Sequence, residues 1–226
     1  MVVSVLSVAL QARVARSMTV DDAQVADPKT CGVETWYERG GDLNHYWLVP
    51  ACTIVRNAEL SFGGALYFGD GHTQFSDVWL SGKTLFRTLE SSSWSVGLVI
   101  GNVHHPNHGG GMHLGDVFAY VPSSVSFAEG RVMLHGNLGL IRADEHRGIR
   151  PTWGLGTESH VSRRFGTIAE FYGDTFDAIS FQAGLRLRIV PDVLECDATI
   201  AVRAGFGHPV RWGSLGLRWL TPAFIP

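Results

Sequence analysis

The sequence predicts an all-β fold, a closed antiparallel up-and-down transmembrane β-barrel of about twelve strands. After residue 30, apolar residues occupy every second position in runs of about ten residues, the length that a tilted strand needs to cross a bilayer. Turn signals separate these runs, and tight turns alternate with longer polar loops. The positions between the apolar residues carry small residues mixed with Arg and Glu, which is typical of a crowded barrel interior.

Composition limits the classes of protein that fit. The 226 residues carry a formal net charge of −3, and no basic stripe is interleaved with aromatic residues. We therefore expect no nucleic-acid partner. No window holds the roughly 18 uncharged apolar residues that a membrane helix needs. Any passage through a membrane is therefore expected to use strands.

The chain begins with a segment that we interpret as an atypical signal peptide, residues 1–17. A short apolar stretch covers residues 2–10, and Ala15 and Ser17 place small residues at positions −3 and −1 of a cleavage site. The arginines of this segment follow the apolar stretch, whereas a signal peptide carries its positive charge before it. The alternative is an N-terminal helix of a cytosolic protein.

On the first interpretation, residues 18–30 form a periplasmic N-terminal segment and residues 31–226 form the barrel. The predicted strands cover residues 32–38, 44–50, 57–68, 74–89, 93–103, 114–122, 130–142, 151–159, 164–173, 178–190, 193–203 and 211–221. The strands at 32–38, 44–50 and 114–122 alternate poorly, so their facing stays open. An even number of strands returns both ends of the barrel to the periplasm.

The connections differ in length on the two sides. The longer set, expected to be extracellular, covers residues 39–43, 69–73, 104–113, 143–150, 174–177 and 204–210. The shorter set covers residues 51–56, 90–92, 123–129, 160–163 and 191–192. Long loops on one side and tight turns on the other are the pattern of outer-membrane barrels.

The first two cysteines are expected to form a disulfide. Cys31 and Cys52 flank a predicted hairpin centred on Gly41 and Asp42, so a symmetric antiparallel pairing brings them face to face. A disulfide suits an oxidising compartment, and two separate thiols are the alternative. Cys196 has apolar neighbours and is expected to be an unpaired, inert residue.

The hairpin at residues 179–203 shows the alternation best, and it turns at Pro191 and Asp192. That turn predicts a register in which Arg186 lies opposite Asp197 and Arg188 lies opposite Glu195, and opposite charges across strands stabilise pairing. By the same alternation, the lumen is predicted to be lined by Glu59, Lys83, Arg87, His135, Asn137, Glu158, Glu170, Arg186, Arg188, Glu195, Asp197, Arg203 and Arg218. These charges either form a polar constriction that passes small solutes or plug the barrel with ion pairs.

Aromatic residues cluster near the predicted strand ends, as in the girdles that mark the two membrane interfaces. The residues assigned to the girdles are Trp36, Trp47, Trp94, Tyr120, Trp153, Tyr172 and Trp212.

Two groups of residues are weak candidates for chemistry. His104, His105, His108 and His113 share one predicted loop and could bind a transition metal, but their spacing matches no zinc motif, so a solvated loop without metal is expected. His135 and Asn137 share a strand face and would suit a lipase if a serine joined them. They fall on the lumen side and the sequence places no serine there, so we expect no catalytic site and no cofactor.

The chain resembles the small outer-membrane β-barrel proteins of Gram-negative bacteria over roughly residues 30 to 226. The resemblance rests on the signal-like start, the alternating strands and the last strand, "WGSLGLRWLTPAFIP". Short stretches such as "CGVETWYE", "GKTLFR" and "RIVPD" are similar to barrel proteins without an assigned activity. The family usually ends on an aromatic residue that the barrel-assembly machinery recognises; here Phe224 is followed by two more residues, and Trp219 or Phe224 would supply the signal.

This resemblance implies a porin-like protein of the bacterial outer membrane, with outer-membrane lipids and the assembly machinery as partners. The expected function is passive passage of small polar solutes, or a structural role in the membrane, without enzymatic activity. Two alternatives remain: an outer-membrane lipid-modifying enzyme, and a secreted soluble β-sandwich that binds a ligand.

Overall fold

The computed structural model describes residues 18–40, 43–69, 71–89, 93–107, 114–142, 148–175, 179–204 and 209–223. Within these ranges the chain forms twelve strands that pair antiparallel with their neighbours, and β1 pairs with β12 to close the barrel. The strands are β1 (Cys31–Gly40), β2 (Leu43–Val55), β3 (Ala58–Gly69), β4 (His72–Arg87), β5 (Trp94–His104), β6 (Asp116–Phe127), β7 (Val132–Arg142), β8 (Arg150–His160), β9 (Phe165–Asp174), β10 (Ile179–Val190), β11 (Leu194–Ala204) and β12 (Val210–Leu220). The predicted closed barrel is confirmed, and the β-sandwich is excluded because all twelve described strands belong to one closed sheet.

The predicted strand ends agree with the structure to within a few residues, except at two prolines. β2 continues through Pro50 and β6 through Pro122, whereas the prediction stopped both strands there. Proline lacks the N–H of the strand ladder, so it is tolerated where pairing on one side is interrupted. The β2–β3 register skips Pro50 and the β5–β6 register skips Pro122, while the pairing on the opposite side continues.

The two faces of the wall have opposite character. Leu138 is 72% exposed on the outside, and Ile200 is 75% exposed. On the inside, Arg186 and Glu170 are almost fully buried. Closure pairs every strand and leaves no unpaired sheet edge, which is the condition for a sheet to cross a membrane. The apolar outer surface therefore suits hydrocarbon, and the charged surface faces an enclosed axis. No helix in the described ranges is long and apolar enough to span a bilayer.

The barrel has two distinct ends. We call the end where β1 begins and β12 finishes the near end, and the opposite end the far end. Residues 56–57 and 191–193 are short connections at the near end, whereas residues 105–115 join β5 to β6 at the far end. The predicted division into tight turns and longer loops holds only in part, because two-residue connections at 41–42 and 70–71 lie at the far end and a six-residue connection at 88–93 lies at the near end.

The disulfide between Cys31 and Cys52 is present at the near end, as predicted. Two further bonds secure the start of β1, because Lys29 N–H donates to Thr53 O and Thr53 N–H donates to Thr30 O. The N-terminal segment is thus fixed to the barrel wall where it enters β1.

Residues 18–30 do not form the separate periplasmic segment that the sequence suggested. Val20, Asp22 and Ala23 are 1%, 1% and 0% exposed, and their partners lie on inward-facing positions of the strands. The segment enters the lumen because the interior offers donors and acceptors that its backbone can use. The predicted signal peptide, residues 1–17, lies outside the described residues.

The aromatic residues assigned to interfacial girdles divide between the two faces. Trp94 and Trp153 stand on outward positions, as expected. The inward positions hold Trp36, Trp47, Tyr120, Tyr172 and Trp212, which is a correction to the prediction. Each of these five shares a strand face with a buried polar or charged residue, and Trp36 stacks on Trp47 with ring centroids 5.4 Å apart. Their position near strand ends did not reveal their facing.

Candidate functional site

The candidate site is the interior of the barrel, and its near-end half is filled by ion pairs centred on Arg186. The guanidinium donates two hydrogen bonds of 2.8 Å to the carboxylate of Asp197 and one of 2.8 Å to Glu158. Arg186 and Asp197 lie opposite each other in the β10–β11 register, as predicted. A bidentate pair of this kind holds both partners in a fixed geometry.

A second set of ion pairs surrounds Glu195, which lies opposite Arg188 as predicted. Arg188 Nε is 3.4 Å from Glu195 Oε1, and Arg218 Nη1 donates to Glu195 Oε2 at 3.3 Å. Arg218 also approaches Glu34 at 3.8 Å. These ion pairs and those of Arg186 therefore connect side chains of five strands: β8, β10, β11, β12 and β1.

The N-terminal segment enters this interior and binds Glu170 on β9. The backbone N–H groups of Thr19 and Val20 each donate to one oxygen of the Glu170 carboxylate at 2.8 Å. Gly154 and Gly156 on β8 make room for the segment. A Cβ at Gly154 would lie 2.7 Å from Val20 Cγ2, so only glycine admits Val20 at this distance.

On the other side of the lumen, two adjacent carboxylates of the segment bind Lys83 on β4. Lys83 Nζ is 2.9 Å from Asp21 Oδ1 and 3.3 Å from Asp22 Oδ1. Tyr120 O–H donates to the other oxygen of Asp21 at 2.9 Å. With its amide oriented to satisfy both groups, Asn137 donates to Asp21 O at 2.9 Å and accepts from Asp21 N–H at 2.8 Å. The segment thus bridges walls on opposite sides of the barrel.

Towards the near end, apolar contacts hold the segment. Ala23, Val25 and Leu85 form a buried cluster. A cavity of ≈ 70 Å³ remains between the segment and the wall beside Leu89. The near-end half of the lumen therefore contains residues 18–28 in place of a continuous passage.

The structure brings a serine to His135, which the sequence did not reveal. Ser124 Oγ lies 2.8 Å from His135 Nδ1, and His135 Nε2 lies 3.8 Å from Glu158 Oε1. The second distance is too long for a hydrogen bond, and Glu158 is already bound by Arg186. Ser124 is 0% exposed and accepts a 2.8 Å hydrogen bond from Ala23 N–H. Because the hydroxyl is covered and faces away from lipid, this arrangement does not favour a lipid-modifying enzyme.

At the far end, His105 lies between two inward-facing carboxylates. His105 Nδ1 is 2.6 Å from Asp77 Oδ1, and its Nε2 is 3.5 Å from Asp116 Oδ2. Burial lowers the pKa of the His105 imidazole, but the hydrogen bonds and charges of Asp77 and Asp116 outweigh burial, so the net pKa lies above its ordinary value. The His105 imidazole connects β4 to β6 beside the mouth of the lumen.

The histidine cluster considered for metal binding is only partly described. His104 is on an outward position of β5, His105 binds carboxylates, and His108 and His113 lie outside the described residues. Within the described ranges, no group of three or more His, Cys, Asp or Glu side chains is arranged to hold a metal ion.

Arg87, Arg203 and Glu59 are three further residues that were predicted to line the lumen. Arg87 faces outward, because a bulge between Leu85 and Arg87 shifts the β4–β5 register. Its guanidinium stacks on the exposed ring of Trp94, 4.1 Å from the centroid. Arg203 faces inward but remains exposed at the far-end mouth, over Trp212. Glu59 is 3% exposed and lies opposite Lys83 in the β3–β4 register.

Sequence reasoning missed several residues of the interior, among them Asp21, Asp22, Glu34 and Ser124. Glu34 belongs to a strand with poor alternation, so its facing could not be assigned. Ser124 fell in the predicted connection at 123–129, whereas β6 continues to Phe127. Asp21 and Asp22 precede the first strand and have no periodicity. The only signal was indirect, because the glycines at 154 and 156 leave inward positions of β8 without side chains.

A family model described as uncharacterised conserved protein UCP029691 matches residues 2–218. No curated protein matches the chain.

Several solved porins and outer-membrane channels are similar to the chain in fold. The KdgM porin is 8% identical, with a TM-score of 0.64 over 83% of this chain and 98% of that chain. The NanC porin is 12% identical, with a TM-score of 0.58 over 84% of this chain and 98% of that chain. An outer membrane channel from Pseudomonas putida F1 is 12% identical, with a TM-score of 0.56 over 88% of this chain and 96% of that chain. These similarities establish the fold of an outer-membrane barrel.

Proposed function

The chain belongs to the family described as uncharacterised conserved protein UCP029691, and we propose that it is a passive outer-membrane channel closed at rest by its own N-terminal segment. The observation that carries the proposal is the position of residues 18–28 inside the lumen, bound to Glu170 on one wall and Lys83 on another. Passive conduction needs neither a catalytic residue nor a cofactor. The channel would pass small polar solutes.

The charges of the interior favour cations over anions. The inward-facing carboxylates in the described ranges are Asp21, Asp22, Glu34, Glu38, Glu59, Asp77, Asp116, Glu158, Glu170, Asp174, Glu195 and Asp197. The inward-facing cationic side chains of Lys and Arg are Lys83, Arg150, Arg186, Arg188, Arg203 and Arg218. Asp21 and Asp22 leave the lumen with the segment, but the ten carboxylates of the wall still outnumber its six Lys and Arg side chains. We therefore expect the open lumen to select cations, as rings of acidic side chains do in other pores.

The N-terminal segment contacts the wall mainly through polar groups, and water can form hydrogen bonds with these groups when the segment leaves. Most of these contacts are single hydrogen bonds or ion pairs, each with a net contribution of about 1–3 kcal/mol. The barrel wall is held by twelve strand pairings, which do not depend on the segment. The segment can therefore leave the lumen while the strands stay paired, which is the requirement for a gate.

The test is planar-bilayer recording of the refolded full chain and of the variant Asp21→Asn with Asp22→Asn. Removing both charges weakens the contact with Lys83, which keeps Glu59 opposite it. We expect the ratio of open to closed time to rise at least about tenfold, because a charge-assisted hydrogen bond contributes roughly 1.5–3 kcal/mol. Asp27→Asn is the matched control, since Asp27 is an exposed residue of the same segment. Equal currents from the wild type and both variants would reject the gate.

A further inference from the structure

The outer surface of the barrel carries an apolar groove at the far end, across β10, β11, β12 and β1. The groove has a volume of ≈ 600 Å³. Phe181, Ile200 and Val202 supply its apolar wall, and Gly213 contributes no side chain. Arg39 and Arg211 stand on its rim. A cleft of this size fits acyl chain, and the two guanidinium groups add a strong requirement for negative charge.

The two arginines are close neighbours on one face. Arg39 lies opposite Gly213 in the β1–β12 register, and Arg211 is two residues before Gly213 on the same outward face of β12. Both side chains are exposed. The two positions are diagonal neighbours across the strand pair, which is within reach of long side chains such as Arg. Among the described residues, neither guanidinium has a carboxylate partner.

The charge on this outer rim has one sign. On outward strand positions near the far end, the charged residues in the described ranges are Arg39, Arg142 and Arg211. The carboxylates at that end, Glu38, Asp77, Asp116 and Asp174, stand on inward positions. The exterior of the rim is therefore complementary to an anionic ligand at the membrane interface.

We propose that this groove binds a phosphorylated, acylated lipid of the outer leaflet. Its phosphate would lie between Arg39 and Arg211, and an acyl chain would lie along Phe181, Ile200 and Val202. Guanidinium groups bind phosphate oxygens through paired, charge-assisted hydrogen bonds, which suits two arginines at adjacent positions. The inference rests on the proposed outer-membrane location, which places the far end in the outer leaflet, but not on conduction through the lumen.

A second outer groove provides an internal control. It has a volume of ≈ 670 Å³ and is lined by Leu114, Val117, Leu140 and Ile149, with Arg142 as its cationic residue. A single guanidinium cannot hold a phosphate from two sides. We therefore expect this groove to accept acyl chain without a strong preference for a phosphorylated head group.

The experiment counts lipids bound to the refolded full chain in detergent micelles by native mass spectrometry. The probes are diphosphorylated lipid A, the same lipid with its phosphates removed, and phosphatidylethanolamine. We expect tight binding of the diphosphorylated form alone, and a loss of at least about tenfold in affinity in the double variant Arg39→Gln with Arg211→Gln. Arg142→Gln should bind as the wild type does.

Three results would overturn the assignment: unchanged binding in the double variant, equal binding of the dephosphorylated lipid, or an equal loss in Arg142→Gln. Faster gel migration of the unheated sample, compared with the boiled one, verifies that each variant is folded. Because the binding assay needs no current, its failure leaves the channel proposal to be judged by the bilayer recordings, and the reverse also holds.

Discussion

Arg186 shows how a charge is kept inside the barrel wall. It is 2% exposed, and each of its three guanidinium nitrogens donates to a carboxylate of β8 or β11. A buried charge is costly to desolvate, so the cation and its partners stabilise the fold only while the set is complete.

We therefore expect Arg186→Met to lower the free energy of unfolding by about 3–5 kcal/mol, because Glu158 and Asp197 would remain buried without their cation. Urea unfolding of the refolded protein in micelles measures the change. Arg164→Met is the control, since Arg164 is exposed in a near-end turn. Similar midpoints for the two variants would mean that the ion pairs contribute little.

At the residue scale, the sequence predicts well which face of the sheet a side chain lies on, provided that a turn fixes the register. The turn at 191–193 placed Arg186 opposite Asp197 because a short hairpin leaves little freedom in pairing. Arg87 was assigned to the wrong face because one extra residue in β4 reverses the alternation, and no signal in the sequence marks that bulge.

The N-terminal segment is the element that the sequence did not predict. Periodicity reports which face of a regular strand is buried, and residues 18–30 have no such repeat. Their burial depends on long-range contacts, such as those of Val20 with Glu170 and with the space above Gly154. By contrast, most of the twelve strands were predicted because they carry their own alternation, and turn signals delimited the three that alternate poorly.

Gly154→Val is expected to push the segment out of the lumen, because the new side chain would occupy the position of Val20. The measurement is the labelling rate of Ala23→Cys with a water-soluble maleimide, in a Cys196→Ser background. Position 23 is 0% exposed, so labelling should be slow in the parent and fast after the glycine is replaced.

Gly82→Val is the control for that experiment. Gly82 is on the outward face, and a Cβ there would meet only the flexible end of Leu60 at 3.4 Å. This variant should label as slowly as the parent. Rapid labelling of the parent itself would show that the segment does not occupy the lumen.

For the whole molecule, the closed wall and the occupied interior are separate properties. The alternation of apolar residues along the strands predicts a closed barrel with an apolar exterior, because a many-stranded sheet with one apolar face needs hydrocarbon around that face. Whether the lumen is open depends on side-chain volume and on the segment, which alternation does not report. The structure gives an interior filled at the near end and a mouth lined by aromatic and charged groups at the far end.

The most direct test of the gate is the bilayer current through Ala23→Cys with Ser124→Cys, again in the Cys196→Ser background. Ala23 N and Ser124 Oγ are 2.8 Å apart, so a disulfide between these positions should lock the segment in the lumen. We expect no openings from the oxidised protein and openings at the parent level after reductant. The Cys196→Ser parent with reductant controls for reduction of the native Cys31–Cys52 bond. An oxidised, cross-linked protein that conducts like the parent would contradict the account.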